Sequence, residues 1–570
     1  MVGEVLDLDH VISPDNLAAQ ISNQYNEWNS LRNGWIQEKK ELRNYIYATD
    51  TKTTTNGKLD WSNSTTTPKL TQIYDNLKAN YTAALFPNTN WMKWVASDRE
   101  AATKAKTTTI QSYMENKVDQ SGFISTMDKL IDDYVLMGNA FCTVEHVTEY
   151  TEVNGESIVQ YVGPRLVRIS PYDLVFNPAA TSFDRSPKII RSLNTMGEAK
   201  KMLSEEDFSK ILQNRTSVGT GLSVDKADGF VADGFSNIQH YYGSNFVEFL
   251  TFYGDTYDTV TGEFKENRKV TIVDRAYIVT DEPMASWLGQ APIFHTGWRS
   301  RPDNLYAMGP LDNLVGMQYR IDHLENLKAD VFDQIALPML KIRGDIEDFE
   351  YKPGERIILG EEGDVTHLVP DSTALNADFQ IQTLENKMEE LAGAPRQAMG
   401  IRTPGEKTAF EVQSLQNSSG RIFQHKAAQF ERELEEPSLN AMLEAGRRNM
   451  DHSDLVRTLD DATGALIFSE ITKEDITAKG KIKPMGARHF AERAQRVQNI
   501  TQMLQMKSIP DVGVHLSGKM TAQIIAEELG EKELYGENIA VQEQLETQEA
   551  TQDAEAQNQE SLAVAAETGL

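Results

Sequence analysis

The chain has 570 residues, with 85 acids against 56 bases and a formal net charge of −29. A surface so rich in carboxylates repels phosphates, which excludes general nucleic-acid binding and leaves only a local basic patch for any such contact. A single cysteine, Cys142, excludes an intrachain disulfide framework and points to a reducing compartment.

The N-terminal MVGEVLDLDHVISPDN is acidic and lacks a long apolar run, so no signal peptide is expected. No stretch of about 18 apolar residues predicts a membrane-crossing helix. Helical spacing of Leu17, Ile21, Tyr25, Trp28, Leu31, Leu42, Tyr45 and Ile46 predicts a helix over 15–48. A Thr/Asn/Lys loop (50–59) follows, then a helix over 68–87 with Pro68 in its first turn and Pro87 as its stop. Residues 101–119 and 122–138 are further helical candidates.

From 140 the pattern turns β-rich. Residues 140–153 and 157–171 flank Asn154-Gly155, a hairpin signal. Strands are expected at 247–254, 269–280 and 292–298, and the Gly/Ser/Asp-rich 214–240 reads as a long surface loop. The first 300 or so residues therefore read as mixed α+β.

Helices return at 309. Leu314, Met317, Ile321, Leu324, Lys328 and Val331 recur at 3,4-type spacing, with Lys328 the one polar interruption. A β-like insert (337–370) carries turns at 343–345, Pro353-Gly354 and Glu362-Gly363. Ile381, Leu384, Met388 and Leu391 stripe a helix over 377–393. A long helix is expected over 408–450, broken or kinked at Pro437, then shorter helices within 451–540, including 487–505 and 520–529. The Gln/Glu/Ala-rich segment 541–570 reads as either disordered or a solvated helical tail.

Two stretches come near a nucleotide-binding P-loop. GIRTPGEKT (400–408) has the glycine spacing, but Glu406 separates Gly405 from Lys407 and sets a negative charge where phosphate would sit. GVHLSGKM (513–520) puts Met520 where a magnesium-binding hydroxyl belongs. Both follow predicted helices rather than strands, so a turn is the simpler reading. The ten histidines form no HExxH or Cys/His cluster, and no metal site is expected. Lys387, Arg396, Arg402 and Lys407 do cluster around 400–408, with Arg421 and Lys426 following. Ordinary surface cations and phosphate contact without base reading both fit that cluster.

Taken in order, WRSRPDNLYAMGPLDNLVGMQYRIDHLENLKAD (298–330), ELAGAPRQAMGIRTPGEKTAFEVQSLQNSSGRIFQ (390–424) and MGARHFAERAQRVQNI (485–500) resemble the portal, or head-to-tail connector, protein of tailed bacteriophages. The resemblance covers about residues 15–530. It implies an α+β portal-type subunit: an α/β wing (1–308), stem helix 1 (309–336), a small β-containing clip (337–375) and stem helix 2 (376–396). A tunnel loop (397–407), a long wing helix (408–450) and a helical crown (451–540) would follow, before the tail 541–570. Leu314, Ile321, Leu324, Ile381, Leu384 and Met388 would pack the stem. Gly400, Pro404 and Gly405 would hinge the tunnel loop, and Arg396, Arg402, Lys407 and Lys387 would meet DNA.

Such subunits form a homo-oligomeric ring, usually of twelve, at one capsid vertex. The ring conducts double-stranded DNA without sequence specificity during packaging and ejection. It docks the terminase large subunit, then head–tail adaptor and tail proteins at the clip, and it contacts the major capsid protein and scaffold protein. The resemblance implies no catalytic residue, no cofactor and no membrane partner, with residence in the virion at the head–tail junction and in the host cytoplasm during assembly. Twelve copies would carry 12 × −29, about −350, before screening, which suits a channel that must not grip its DNA. The competing readings are a P-loop-like NTPase of DNA packaging and a non-ring head–tail adaptor or scaffold protein.

Overall fold

The computed structural model describes residues 17–47, 62–63, 65–87, 91–98, 101, 103–153, 156–214, 224–235, 237–238, 240–241, 246–257, 263–284, 291–344, 358, 360, 362–368, 372–392, 422–450, 453–459 and 466–486. In chain order the first elements are α1 (Leu17–Leu31), α2 (Asn33–Tyr47), α3 (Lys69–Leu85), β1 (Met92–Ala96), α4 (Lys104–Gln120), α5 (Phe123–Leu136), β2 (Asn139–Val153), β3 (Glu156–Ile169), β4 (Leu174–Phe176) and β5 (Lys188–Thr195). Then come α6 (Met196–Met202), α7 (Glu205–Asn214), α8 (Val224–Ala232), β6 (Phe246–Tyr257), β7 (Phe264–Val273), β8 (Tyr277–Pro283), β9 (Ile293–Gly297), β10 (Arg299–Arg301) and β11 (Asn304–Met308). The remainder are α9 (Val315–Ala336), β12 (Met339–Arg343), β13 (Asp364–Leu368), α10 (Asp378–Ala392), α11 (Glu436–Asn449), β14 (Asp454–Leu459), β15 (Leu466–Ile471), α12 (Lys473–Ile476) and β16 (Gly480–Pro484). The fold is mixed α+β, and its paired strands run antiparallel.

The chain divides into two units, one of Met1–Tyr81, Met127–Thr143 and Arg168–Leu434, the other of Thr82–Thr126, Val144–Val167 and Glu435–Leu570. The first is organised by the sheet β4-β5-β6-β7-β8. Val175, Ile189, Phe252 and Val270 are successive cross-strand partners, so register sets them in one row on one face. Leu17, Ala18, Ile21, Tyr25 and Trp28 of α1, at helical spacing, close over that row. On the opposite face Val247, Phe249 and Val273 pack with Ala199 and Ile211 of α6 and α7. A Thr195–Glu198 capping box starts α6.

The helix expected over 15–48 is two helices that break at Arg32. Arg32 is buried and donates to the carbonyls of Pro171 at 2.6 Å, Tyr172 at 2.6 Å and Leu174 at 2.7 Å. Its guanidinium so satisfies three orphan carbonyls ahead of and within β4. The expected strand 269–280 is two strands, β7 and β8, turned by Asp274 and Arg275 at φ 47° and 61°. Part of the loop expected over 214–240 is helical, as α8. Arg43 holds α8 through Gly229 O at 3.2 Å, and Lys40 reaches Asp228 at 2.9 Å.

Asn139–Thr143 of β2 pairs with β9. The residues 422–430 are helical and dock beside β9, where Gln429 Nε2 donates to Gly297 O at 3.0 Å and Thr296 Oγ1 to Glu433 at 3.0 Å. Here Tyr81, Tyr134, Phe423 and Phe430 form a chain of ring contacts with centroids 4.7–5.6 Å apart. The expected break at Pro437 takes another form. The helix widens into a π turn over Glu431–Glu435 and resumes as α11 with Pro437 in its first turn, where its missing N–H costs least.

In the second unit β1 pairs with β16, and β14 with β15. Lys117 of α4 is buried, donates to Val162 O at 2.7 Å, pairs with Asp454 at 2.5 Å and sits over the rings of Tyr113 and Tyr161. The described residues 453–459 and 466–486 hold three strands and one four-residue helix where short helices were expected. The expected helices 487–505 and 520–529 lie outside the described residues, as does the tail 541–570.

Candidate functional site

The helix α9, the hairpin β12–β13 and the helix α10 make one arm of the first unit. Asp312 accepts from Gly309 N at 2.8 Å just ahead of α9 and pairs with Lys39. Burial lowers the pKa of Lys39, and Asp312 opposes that shift. Leu314, Ile321 and Leu324 are buried beside α9's contact with α10, as are Ile381 and Met388 of α10; Leu384 is half-buried. Lys328 ion-pairs with Glu325 at 3.2 Å and Asp378 at 2.5 Å rather than interrupting the apolar stripe.

A second buried stripe on α9 is polar. Gln318, Asp322 and Asn326 recur every four residues and are buried. An extended segment runs antiparallel along them. Asn63 N donates to Asp330 Oδ1 at 2.5 Å, Thr65 N to Asn326 Oδ1 at 2.7 Å and Thr67 N to Asp322 Oδ1 at 2.9 Å, and beyond the segment Leu70 N in the first turn of α3 donates to Gln318 Oε1 at 3.1 Å. Two amides answer in the other direction, Asn326 Nδ2 to Thr65 O at 2.9 Å and Gln318 Nε2 to Thr67 O at 2.6 Å. The register works because two extended residues advance about 6.7 Å and four helical residues about 6 Å. The helix thus offers the segment what a neighbouring strand would. Beside it Lys69 and Glu389 form a buried pair at 2.6 Å that ties the start of α3 to α10.

Away from these contacts the arm exposes large apolar side chains among its charged ones. Phe332, Leu337 and Phe379 are 63%, 70% and 78% exposed, and Tyr319, Leu327, Met339, Ile342, Leu368 and Leu391 are exposed with them. The two-stranded β12–β13 hairpin keeps only Leu340 and Val365 half-buried. Two isolated strands are marginal in water, and large exposed apolar side chains offer surface for association.

Lys387 is exposed on α10. Arg396, Gly400, Arg402, Pro404, Gly405 and Lys407 lie outside the described residues, as do Arg421, the Asn154-Gly155 turn and the P-loop-like stretches 400–408 and 513–520. Lys426, read with the basic cluster, turns inward. It donates to Trp298 O and to Gln429 at 3.2 Å, and lies over the Trp298 ring. Burial, then Arg299, lowers its pKa.

Burial pushes the Cys142 thiol up, away from nucleophilic use. Among the described residues no group of three or more His, Cys, Asp or Glu side chains is arranged to hold a metal ion, and no helix is long and apolar enough to cross a membrane. The polar stripe of α9 escaped sequence reading because polar residues at helical spacing read as a solvated face. The available signal was the four-residue repeat of Gln, Asp and Asn in a chain that also carries a Thr-rich extended run.

No family model matches the chain, and no curated protein matches it.

Proposed function

We propose that the chain is a portal-type subunit that assembles into a ring, of about twelve by the family resemblance, and forms a channel for double-stranded DNA at a capsid vertex. The observation that carries this reading is the α9–hairpin–α10 arm, where large apolar side chains stand exposed. Burying each would contribute about 1.5–3 kcal/mol, so a ring of arms is the state that covers them. The order of the described elements around the arm, a mixed α+β region before it and the helical residues 422–449 after it, supports the same assignment. Arg396, Arg402 and Lys407 would then face passing phosphates, Lys387 would lie near them, and Gly400, Pro404 and Gly405 would give the loop its hinges. Terminase, adaptor, capsid and scaffold partners belong to this proposal, as does residence in the virion.

Sedimentation of the purified protein tests it. The wild type should run as one large oligomer, and Phe332→Asp with Phe379→Asp should release folded protomers. A wild type that sediments as a protomer in every salt condition would defeat the reading.

A further inference from the structure

A cleft of about 340 Å³ opens in the first unit between α2, the turn after β3 and α8. Ten of the described residues line it, and Lys40, Arg43, Arg168 and Lys226 are among them against a single acid, Asp228. With 56 bases and 85 acids in 570 residues, ten residues drawn at random would hold about one base and one or two acids. The lining reverses the charge balance of the whole chain.

Each cation is fixed in place. Arg168 binds Asp133 through two nitrogens at 2.5 and 2.6 Å, Arg43 reaches Asp233 at 2.6 Å, and Lys226 pairs with Asp173. Gly229 carries no side chain where Arg43 lies: a Cβ there would come within 3.3 Å of the guanidinium carbon. These three carboxylates are not among the lining residues; they orient the cations and offset part of their charge, while the cationic side chains themselves line the cavity. The four side chains remain 16–34% exposed. Cations held this way lose little freedom when a ligand arrives, and the arginine N–H groups not used on Asp133, Asp233 and Gly229 can donate to phosphate oxygens.

We propose that this cleft binds a small polyanionic phosphate, a condensed phosphate or phosphate ester. Four cationic side chains on one wall offer more donors than one carboxylate can use. The volume sits at the low end of the roughly 300–1,000 Å³ range of small-ligand sites. The site does not depend on the ring or on the loop 397–407.

Calorimetric titration of the intact protein with inorganic pyrophosphate at low ionic strength tests it. One saturable site that weakens with added salt is expected. The Lys40–Asp228 pair supplies opposite-sign variants. Lys40→Gln should weaken binding about tenfold, and Asp228→Asn, which removes the only acid among the described lining residues, should tighten it about threefold or more. Asp228 is 57% exposed, so losing this pair costs little, and Arg43 still holds α8 through Gly229 O in both variants. No saturable heat in the wild type, or both variants shifting affinity in the same direction, would overturn the proposal. A short DNA duplex that binds in a Lys40-dependent way where pyrophosphate does not would overturn the small-ligand assignment.

Discussion

Asn326 grips Thr65 with both ends of its amide, accepting from the Thr65 N–H at 2.7 Å and donating to the Thr65 carbonyl at 2.9 Å. A helix side chain thereby acts as a strand neighbour for an extended segment. Asn326→Leu keeps the volume and removes both bonds. It should cost about 1–2 kcal/mol in denaturant unfolding and speed hydrogen exchange at the Thr65 amide ahead of the rest of the fold. Unchanged exchange at Thr65 would show that the segment is held by something else.

Glu248 on β6 is buried and accepts from Arg191 at 2.5 Å and from Arg275 at 2.7 and 3.1 Å. Burial raises its pKa, but Arg275 and Arg191 outweigh burial and hold it below the usual carboxylate value. The carboxyl is therefore more acidic folded than unfolded. Its contribution is full above the unfolded pKa and disappears as pH falls through the folded one. Glu248→Gln should cost about 3 kcal/mol at neutral pH, with a smaller difference from wild type in acid. Equal losses at both pH values would refute this linkage.

His295 is stacked on Phe141 at 4.7 Å and hydrogen-bonded to Asn139 at 3.0 Å. Burial, then nearby Lys188, lowers its pKa to about 3. The unfolded imidazole binds its proton near pH 6.5, so in this window the unfolded state holds more protons. Stability should fall as pH drops from about 6.5 towards 3, by at most about 4 kcal/mol. His295→Gln should flatten that slope in urea midpoints measured across the window. A slope that survives the substitution would assign it to other groups.

Gly138 has φ 72°, and a Cβ on it would lie 2.4 Å from the Gly309 backbone nitrogen. Both conformation and contact demand glycine here. Gly138→Ala should cost more than about 2 kcal/mol, whereas alanine at Gly316, where a Cβ meets nothing within 4 Å, should stabilise α9 by a few tenths up to about 1 kcal/mol. Thermal melts of the two variants compare them directly.

Elements with an uninterrupted period were legible in the sequence: α3, α4, α5, the β2–β3 pair and the arm helices all fall near their expected spans. What the sequence hid was decided by distant partners. The break at Arg32 follows from carbonyls at 171–174, and α8 forms in a Gly/Ser/Asp-rich stretch because Arg43 and Lys40 reach it. The β7–β8 turn uses Asp274 and Arg275 in the left-handed region without glycine or proline to mark it. Lys426 reads as a surface cation until Trp298 is placed beside it. In the candidate site, apolar spacing identified Leu314, Ile321, Leu324, Ile381 and Met388 as buried, whereas Leu391 of the same stripe is exposed and Met317, Val331 and Leu384 are half-buried. The polar stripe of α9 needed the extended segment to become visible.

Leu324 is 8% exposed and Phe379 is 78% exposed, so acidic substitutions at the two separate folding from assembly. Leu324→Asp should unfold the arm, at a cost of about 3 kcal/mol or more. Phe379→Asp should leave the protomer's melting temperature unchanged and weaken only its oligomer. Equal melting losses in both would remove the argument that the exposed face is an assembly face.

Negative-stain imaging of the purified wild-type protein tests the central claim most directly. The account predicts rings with a central pore and about twelvefold symmetry. Monodisperse protomers at every salt concentration would contradict it.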